Sequence, residues 1–210
     1  MENISVVKRF VDVLHPAPIE AFIESVKKTS ATHIDDTVGI PLSDGRVIDF
    51  VVTDVDDVSV RFESRDCLGE YVPMTRMDEY FKKVFSLLPK ALQEAIAVTE
   101  RKHYNAKGEV VTSYEKLFLP AASEIFAPDD CYGDKGLYKQ MEWYKDVHNR
   151  IRAFEKGGYA DWYWTSSRRI GSPRTGTAYW CYVTGDGSAN TSYASADWGA
   201  APVCFRIEKS

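Results

Sequence analysis

The sequence predicts an α+β fold, in which packed helices and antiparallel strands come from separate stretches of one chain. Two observations lead to this prediction. Blocks of apolar residues at helical spacing alternate with blocks of β-branched residues at period two, and short turns that suit antiparallel pairing join the strand blocks. The composition is that of a globular protein, since 44% of the 210 residues are hydrophobic and 27% are charged. A chain of this length can bury a sizeable core.

Residues 1–35 are predicted to form a helical hairpin. Each helix carries four apolar residues at the spacing of one helix face, which are Val7, Phe10, Val11 and Leu14 in the first and Ile19, Phe22, Ile23 and Val26 in the second. Two prolines within residues 15–18 break the chain between them. Two roles remain open: a packing appendage of the main domain, or a docking element through which residues 1–35 assemble a homo-oligomer.

The middle of the chain is predicted to alternate between strands and helices. Residues 47–52 and 58–62 have the pattern of two strands of a meander, joined by an acidic turn. Two helices follow, before and after Pro89, with apolar faces at Met77, Tyr80, Phe81, Val84 and Leu88 and at Leu92, Ala95 and Ile96. Residues 98–104 and 109–114 are then expected to pair as a hairpin around a turn that ends at Gly108.

The strongest helical pattern covers residues 137–154. Its apolar face consists of Leu137, Met141, Tyr144, Val147, Ile151 and Phe154. Two glycines at 157–158 supply a C-terminal stop. We therefore expect one long helix here, packed on the sheet.

The last part of the chain, residues 159–210, has a composition of its own. Ten of its 52 residues are aromatic and none is leucine, while small polar residues and arginine fill many of the other positions. Rigid aromatic rings among small polar residues are typical of recognition surfaces. A β-rich core with glycine-rich turns has the same composition, so both interpretations stay open.

Strand alternation in this part assigns side chains to two faces. Phe205 is expected in the core with Val203 and Ile207, because the opposite phase would bury an arginine. In residues 179–183 the small pair Cys181 and Val183 is expected to face the core, which would turn two large aromatic rings outward. The predicted binding face consists of Arg168, Arg169, Arg174, Trp180, Tyr182, Asn190, Tyr193 and Trp198.

Several classes of function lack a sequence signature. The glycine motifs that bind phosphate are missing, the four histidines are scattered, and the acidic run at 54–57 lacks the glycine and glutamate of a calcium loop. We therefore expect no metal, no cofactor and no catalytic residues. A net charge of −5 argues against a nucleic-acid partner, and neither a secretory signal nor a membrane span is found. The four cysteines form no Cys-x-x-Cys pair and are expected to be buried thiols.

Five blocks of sequence occur in a characteristic order, at residues 119–126, 144–145 with 149–150, 162–167, 183–187 and 199–207. This order resembles an uncharacterised domain family of prophage and gut-bacterial genomes. That family is similar in fold to C-type lectins and to the variable proteins of diversity-generating retroelements, in which a C-terminal segment displays changeable residues. The resemblance implies a C-type-lectin-like domain at residues 36–210 with a display segment at 159–207. The E-P-N, Q-P-D and W-N-D signatures of calcium-dependent sugar binding are missing.

The sequence and the resemblance together predict a non-enzymatic binding or display protein, encoded by a phage or prophage and located in the cytoplasm or on a virion. Its ligand is expected to be a protein or a glycan, recognised through the C-terminal face, with no nucleic acid and no membrane involved. Two alternatives remain: a small intracellular enzyme or accessory factor, and a structural component of a virion or tail.

Overall fold

Four helices and eleven strands occur in residues 16–28, 32–128, 133, 136–169 and 179–210, which the computed structural model describes. The helices are α1 (Pro16–Lys28), α2 (Met77–Leu87), α3 (Lys90–Ala95) and α4 (Ala122–Ile125). The strands are β1 (Thr37–Pro41), β2 (Val47–Val55), β3 (Ser59–Ser64), β4 (Thr99–Tyr104), β5 (Val110–Glu115), β6 (Arg152–Ala153), β7 (Ala160–Asp161), β8 (Tyr163–Arg168), β9 (Tyr179–Val183), β10 (Ala189–Tyr193) and β11 (Cys204–Glu208). No helix in these ranges has both the length and the apolar character that a membrane crossing requires.

The strands pair antiparallel in four groups. The largest is a four-stranded sheet in the order β1-β2-β3-β11, and the second is a three-stranded sheet in the order β10-β9-β8. Two hairpins, β4–β5 and β6–β7, complete the set. The last strand, β11, pairs with β3 from the first third of the chain, so that Phe205 lies opposite Phe62. The mixture of helices and antiparallel strands is compatible with the predicted α+β class.

Two cores lie on opposite faces of the sheets. Phe62 and Phe205 stack in the main core with their ring centroids 5.3 Å apart, and Tyr182 on β9 belongs to the same cluster. The next residue along β9, Cys181, points the other way and joins a second core with Tyr163. The predicted core position of Phe205 is confirmed, because none of its surface is exposed.

Helix α1 is part of the main core. Its residues Ile19, Phe22, Ile23 and Val26 are buried, and the ring of Phe22 packs edge-on against Phe62 at 5.5 Å. The predicted apolar face is therefore confirmed, and this helix packs on the main domain, which is the first of the two roles that the sequence leaves open. The first helix of the predicted hairpin lies outside the described residues.

The other elements predicted in the middle of the chain are present. The strands expected at 47–52 and 58–62 are β2 and β3, and the helices before and after Pro89 are α2 and α3. The expected hairpin is β4–β5, and Gly108 in its turn has a φ of 79°, a left-handed conformation that glycine adopts without strain.

The long helix predicted over residues 137–154 is wrong. The chain forms two 3-10 turns there, Glu142–Lys145 and Val147–Arg150, followed by β6. Extended backbone at Asp146, with a ψ of 118°, separates the turns, and extended backbone at Ile151, with a ψ of 126°, ends the second.

Side-chain hydrogen bonds account for this difference. An α-helix needs its backbone carbonyls for its own N–H groups. Here Asn149 Nδ2 donates to the carbonyl of Trp143 at 2.8 Å, and Arg150 Nε donates to the carbonyl of Tyr144 at 2.8 Å. Apolar spacing alone does not reveal that polar side chains compete for these carbonyls.

Candidate functional site

A groove lies between helix α2 and the β4–β5 hairpin. We call it the hairpin groove, and its volume of about 630 Å³ falls in the range of small-ligand sites. Its apolar surface comes from α2 and the turn before it, from the segment after β5, and from β9. The residues that form this surface are Met74, Met77, Phe81, Phe85, Leu117, Leu119 and Trp180.

Polar side chains complete the lining. They are two cations, two carboxylates, an imidazole and three hydroxyls, from Lys82, Lys116, Asp78, Glu115, His103, Ser113, Tyr114 and Ser166. The Lys116 ammonium is held in place, because it donates to the carbonyl of Gln93 at 2.9 Å and lies 5.2 Å from the ring centroid of Phe85. The two positive and two negative charges balance, so the groove does not favour a strongly acidic or strongly basic ligand.

A buried ion-pair network holds the hairpin wall of the groove. Arg101 on β4 contacts the Glu124 carboxylate of α4 at 2.7 and 2.8 Å, and Arg61 on β3 contacts the same carboxylate at 2.7 Å. All three side chains are nearly fully buried. The backbone N–H of Ala121 donates to Glu124 as well, at 2.7 Å. One carboxylate therefore joins the hairpin, α4 and the four-stranded sheet.

The charge state of this network follows from its geometry. Burial alone would raise the pKa of Glu124, but the guanidinium groups of Arg101 and Arg61 outweigh burial and hold this pKa far below the usual range of a glutamate. Arg61 also contacts Glu63 at 2.9 Å, and Glu63 contacts Arg152 at 2.7 Å. The network thus continues as alternating positive and negative charges across the face of the sheet that adjoins the second core.

Trp180 is the predicted site residue that lines the groove. It is half-buried, and the guanidinium of Arg168 lies 4.4 Å from its ring centroid. This cation–π contact joins paired residues of β8 and β9 and fixes the ring. Burial lowers the pKa of Arg168. Because the ordinary pKa of an arginine lies far above neutral pH, the side chain nevertheless stays charged there. A fixed aromatic ring on a concave surface is a typical binding anchor.

The prediction that Trp180 and Tyr182 project together into solvent is wrong. Tyr182 is only 4% exposed, and its ring centroid lies 5.2 Å from those of Trp162 and Trp198 and 6.0 Å from that of Trp164. Trp198 is half-buried in the same cluster. The rings of Tyr182, Trp164 and Trp198 thus pack against one another, and Trp162, which is 40% exposed, covers Tyr182 from the solvent side.

The error in this prediction has a physical cause. Cys181 and Val183 do face a core, but it is the second core. On the opposite side of β9, Tyr182 is covered by the main core, and only Trp180 reaches the surface, at the groove. Alternation assigns residues to two faces of a strand, yet it does not say whether one face or both are covered.

The remaining predicted residues lie on two sides of the three-stranded sheet. Asn190 is exposed on the side of the main core, opposite Tyr182 in the strand register. Tyr193 is 56% exposed on the other side, where Arg169 Nη1 donates to Thr191 Oγ1 at 3.2 Å. The structure therefore does not gather the predicted residues on one surface. Another of them, at position 174 (Arg174), lies outside the described residues.

Sequence reasoning missed the α2 wall and the hairpin wall of the groove. The signal for α2 was present, because Tyr80 and Val84 fill one buried face while Phe81 and Phe85, one position further on, stay half-buried at the groove. The apolar residues of α2 therefore cover more of the helix surface than packing against the core alone requires. The hairpin wall had no comparable signal, since its inward side chains are largely polar.

Comparison of the chain with protein-family models, curated proteins and solved structures finds no match. Within the described ranges, no group of three or more histidine, cysteine, aspartate or glutamate side chains is placed to hold a metal ion. Cys67, Cys181 and Cys204 are buried, as predicted, and burial raises the pKa of the Cys67 thiol to about 12. Among the described residues, the hairpin groove brings an aromatic ring, an apolar surface and charged groups together, and it is the candidate site.

Proposed function

We propose that this chain is a non-enzymatic binding protein that recognises a protein or a glycan at the hairpin groove. The observation that carries the proposal is the groove itself, in which an aromatic anchor and an apolar surface lie beside a balanced set of charges. Sites that bind organic ligands combine a mostly apolar surface with a few placed polar groups. Trp180 and the α2 rings Phe81 and Phe85 are the expected anchors, because rigid aromatic side chains carry much of the energy of an interface.

We also propose a C-type-lectin-like fold and an origin in a phage or prophage. The order of the five sequence blocks supports both proposals. The topology is compatible with the first of them, since β11 closes the four-stranded sheet against β3 and the aromatic segment forms a small antiparallel sheet of its own. The recognition surface then includes the groove side of this small sheet, with Arg168 and Trp180, in place of a single flat display face.

The proposal is tested by screening the purified protein against a glycan array and a displayed library of random linear peptides. Trp180→Ala should raise the dissociation constant of each recovered ligand by at least about tenfold, the loss of affinity expected for an interface anchor. Tyr193→Ala is the matched control, because it removes an exposed ring from the opposite side of the same sheet. If Tyr193→Ala abolishes binding and Trp180→Ala does not, recognition occurs on the other face and the proposal is wrong.

A further inference from the structure

One edge of the β4–β5 hairpin carries backbone groups with no partner among the described residues. The backbone N–H of Asn105 donates to the carbonyl of Glu109 at 2.9 Å, which sets the hydrogen-bonding phase of the hairpin. Counting from this pair, Arg101 and Ser113 exchange hydrogen bonds, whereas Thr112 does not bond to the residue opposite it. The N–H and carbonyl of Thr112 therefore point away from β4, and those of Tyr114 do the same.

The opposite edge of the hairpin confirms this phase and shows a contrast. Lys102, which pairs with Thr112, directs its backbone groups outward from β4. Both are satisfied by Tyr138, whose hydroxyl accepts from the Lys102 N–H at 2.5 Å and lies 3.0 Å from the Lys102 carbonyl. Within the described residues, the strand β5 has backbone hydrogen bonds to β4 alone. The outward groups of Lys102 on β4 are therefore occupied, whereas those of Thr112 on β5 have no partner among the described residues.

The open edge lacks the features that usually prevent strand pairing. Edge strands are commonly protected by lysine, proline, a bulge or a cover. Residues 110–114 read Val-Val-Thr-Ser-Tyr, and their register with β4 is continuous. These residue types favour strands, and Val110 and Tyr114 are 50% and 70% exposed.

The hairpin groove reaches this open edge at Tyr114. Five consecutive residues, 113–117, line the groove. Within the strand, Ser113 and Glu115 share a face with His103 of β4, which also lines the groove, whereas Tyr114 belongs to the other face. The groove therefore extends from the inner face of the hairpin to the edge of β5 at Tyr114. The facing wall of α2 supplies the rings of Phe81 and Phe85, so backbone donors and acceptors and an apolar wall border the same space.

We propose that the ligand of the hairpin groove is an extended segment of a protein, which adds to β5 as a third strand. Its backbone would pair with Thr112 and Tyr114, and alternate apolar side chains would contact Phe81, Phe85 and Trp180. Strand addition is a general mode of peptide recognition, in which backbone hydrogen bonds give affinity and side-chain pockets give specificity. The inference rests on the proposed function and narrows its ligand from a protein or glycan to an extended polypeptide.

The experiment uses linear peptides recovered from the displayed random library as the probe. Each peptide is resynthesised with single N-methyl groups along its backbone and titrated against the full chain. Strand addition predicts a period of two: methylation at every second residue weakens binding at least about tenfold, and methylation at the residues between leaves it nearly unchanged. Loss of affinity with no such period, or no loss at any position, would overturn the inference.

Variants of Thr112 provide the matched test on the protein. Thr112→Pro removes the outward N–H without removing a hydrogen bond to β4, and an edge strand tolerates proline at such a position. It should weaken peptide binding at least about tenfold, whereas Thr112→Val, which keeps the N–H, should change it less than about twofold. Because the N-methyl series uses the unaltered protein, the inference stays testable if the proline variant does not fold.

The remaining outcomes separate this inference from the proposed function. Ligands that respond to Trp180→Ala but neither to N-methylation nor to Thr112→Pro would overturn strand addition and leave the proposed function standing. Recovery of glycans alone would do the same. A dimer that Thr112→Pro abolishes, with no peptide recovered, would identify a second copy of the chain as the occupant and would also overturn the inference.

Discussion

The guanidinium of Arg101 faces the carboxylate of Glu124 through two contacts of 2.7 and 2.8 Å, with both side chains shielded from water. The two residues belong to β4 and α4, so this pair attaches the hairpin to the body of the fold. The position of one wall of the hairpin groove therefore depends on a buried charge pair. Stability and binding should respond together when the pair is broken.

Arg101→Met tests this dependence. It leaves Glu124 with one of its two arginine partners, and breaking a buried pair costs about 3–5 kcal/mol of unfolding free energy. Urea denaturation measures the change. Arg76→Met is the control, because Arg76 pairs with Glu79 at 3.1 Å with both side chains 70% exposed, and its loss should cost at most about 1 kcal/mol. Equal effects of the two substitutions would show that the buried pair does not anchor the hairpin.

The same carboxylate predicts a dependence of stability on pH. The pKa of Glu124 is lowered in the folded state, where burial opposes ionisation but two guanidinium groups outweigh it. The pair therefore stabilises the fold fully above the ordinary glutamate pKa of about 4.3, and this contribution is lost progressively as the pH falls below that value.

Unfolding free energies measured between neutral pH and acid should show this loss. Below neutral pH, the slope of the unfolding free energy against pH counts the protons that the chain takes up when it unfolds. Glu124→Gln should reduce this acid-side slope by the equivalent of up to about one proton, although it lowers stability at every pH. Glu142→Gln, which changes an exposed carboxylate on a 3-10 turn, is the control and should leave the slope nearly unchanged. An unaltered slope in the Glu124 variant would contradict the assignment.

Two aromatic residues of β9 should differ sharply when truncated. Tyr182→Ala removes a ring from the centre of a tryptophan cluster and should cost about 3–5 kcal/mol of stability, like Phe205→Ala. Trp180→Ala should cost less, because that ring is half-buried at the groove. Thermal and urea denaturation measure both changes. A Tyr182 variant as stable as the unaltered protein would restore the prediction of an exposed aromatic pair.

Gly199 is expected to tolerate no side chain. A Cβ atom there would lie 2.4 Å from Nε1 of Trp164, which is fully buried and donates to the carbonyl of Val72 at 2.8 Å. Gly199→Ala should therefore destabilise the protein by about 1–3 kcal/mol or more, the usual cost of overpacking.

The control for this substitution is Gly39→Ala. Its nearest neighbour is the side chain of Val47 at 3.3 Å, which is 36% exposed and can move. The expected change in unfolding free energy is within about 1 kcal/mol. If the Gly199 variant melts no lower than the Gly39 variant, the ring of Trp164 does not pack as described.

Local patterns in the sequence were sufficient for much of the fold and for little of the site. The apolar spacing of α1 and α2 and the turn at Gly108 are decided within a few residues, so periodicity found them. The groove depends on contacts between distant residues, such as Arg101 with Glu124 and the approach of α2 to β5. Nothing local to Arg101 indicates that its partner lies 23 positions further on.

The segment 137–154 shows the opposite failure. Its apolar residues are spaced as in a helix, but Asn149 and Arg150 donate to carbonyls that the helix would need. Polar side chains and buried charge pairs decided the structure where hydrophobic spacing was ambiguous. The composition of residues 159–210 marks their aromatic residues as unusual, but the exposure of each ring depends on which other elements pack against it.

The most direct test of the hairpin groove as the binding site uses ¹⁹F NMR of protein labelled with 5-fluorotryptophan. Each of the five tryptophans gives one resonance, assigned by single Trp→Phe substitutions. Titration with the tightest ligand from the peptide and glycan screens should shift the resonance of Trp180 most and leave that of Trp143, buried in the second core, in place. A saturating ligand that leaves Trp180 unshifted while another tryptophan responds would contradict binding at this groove.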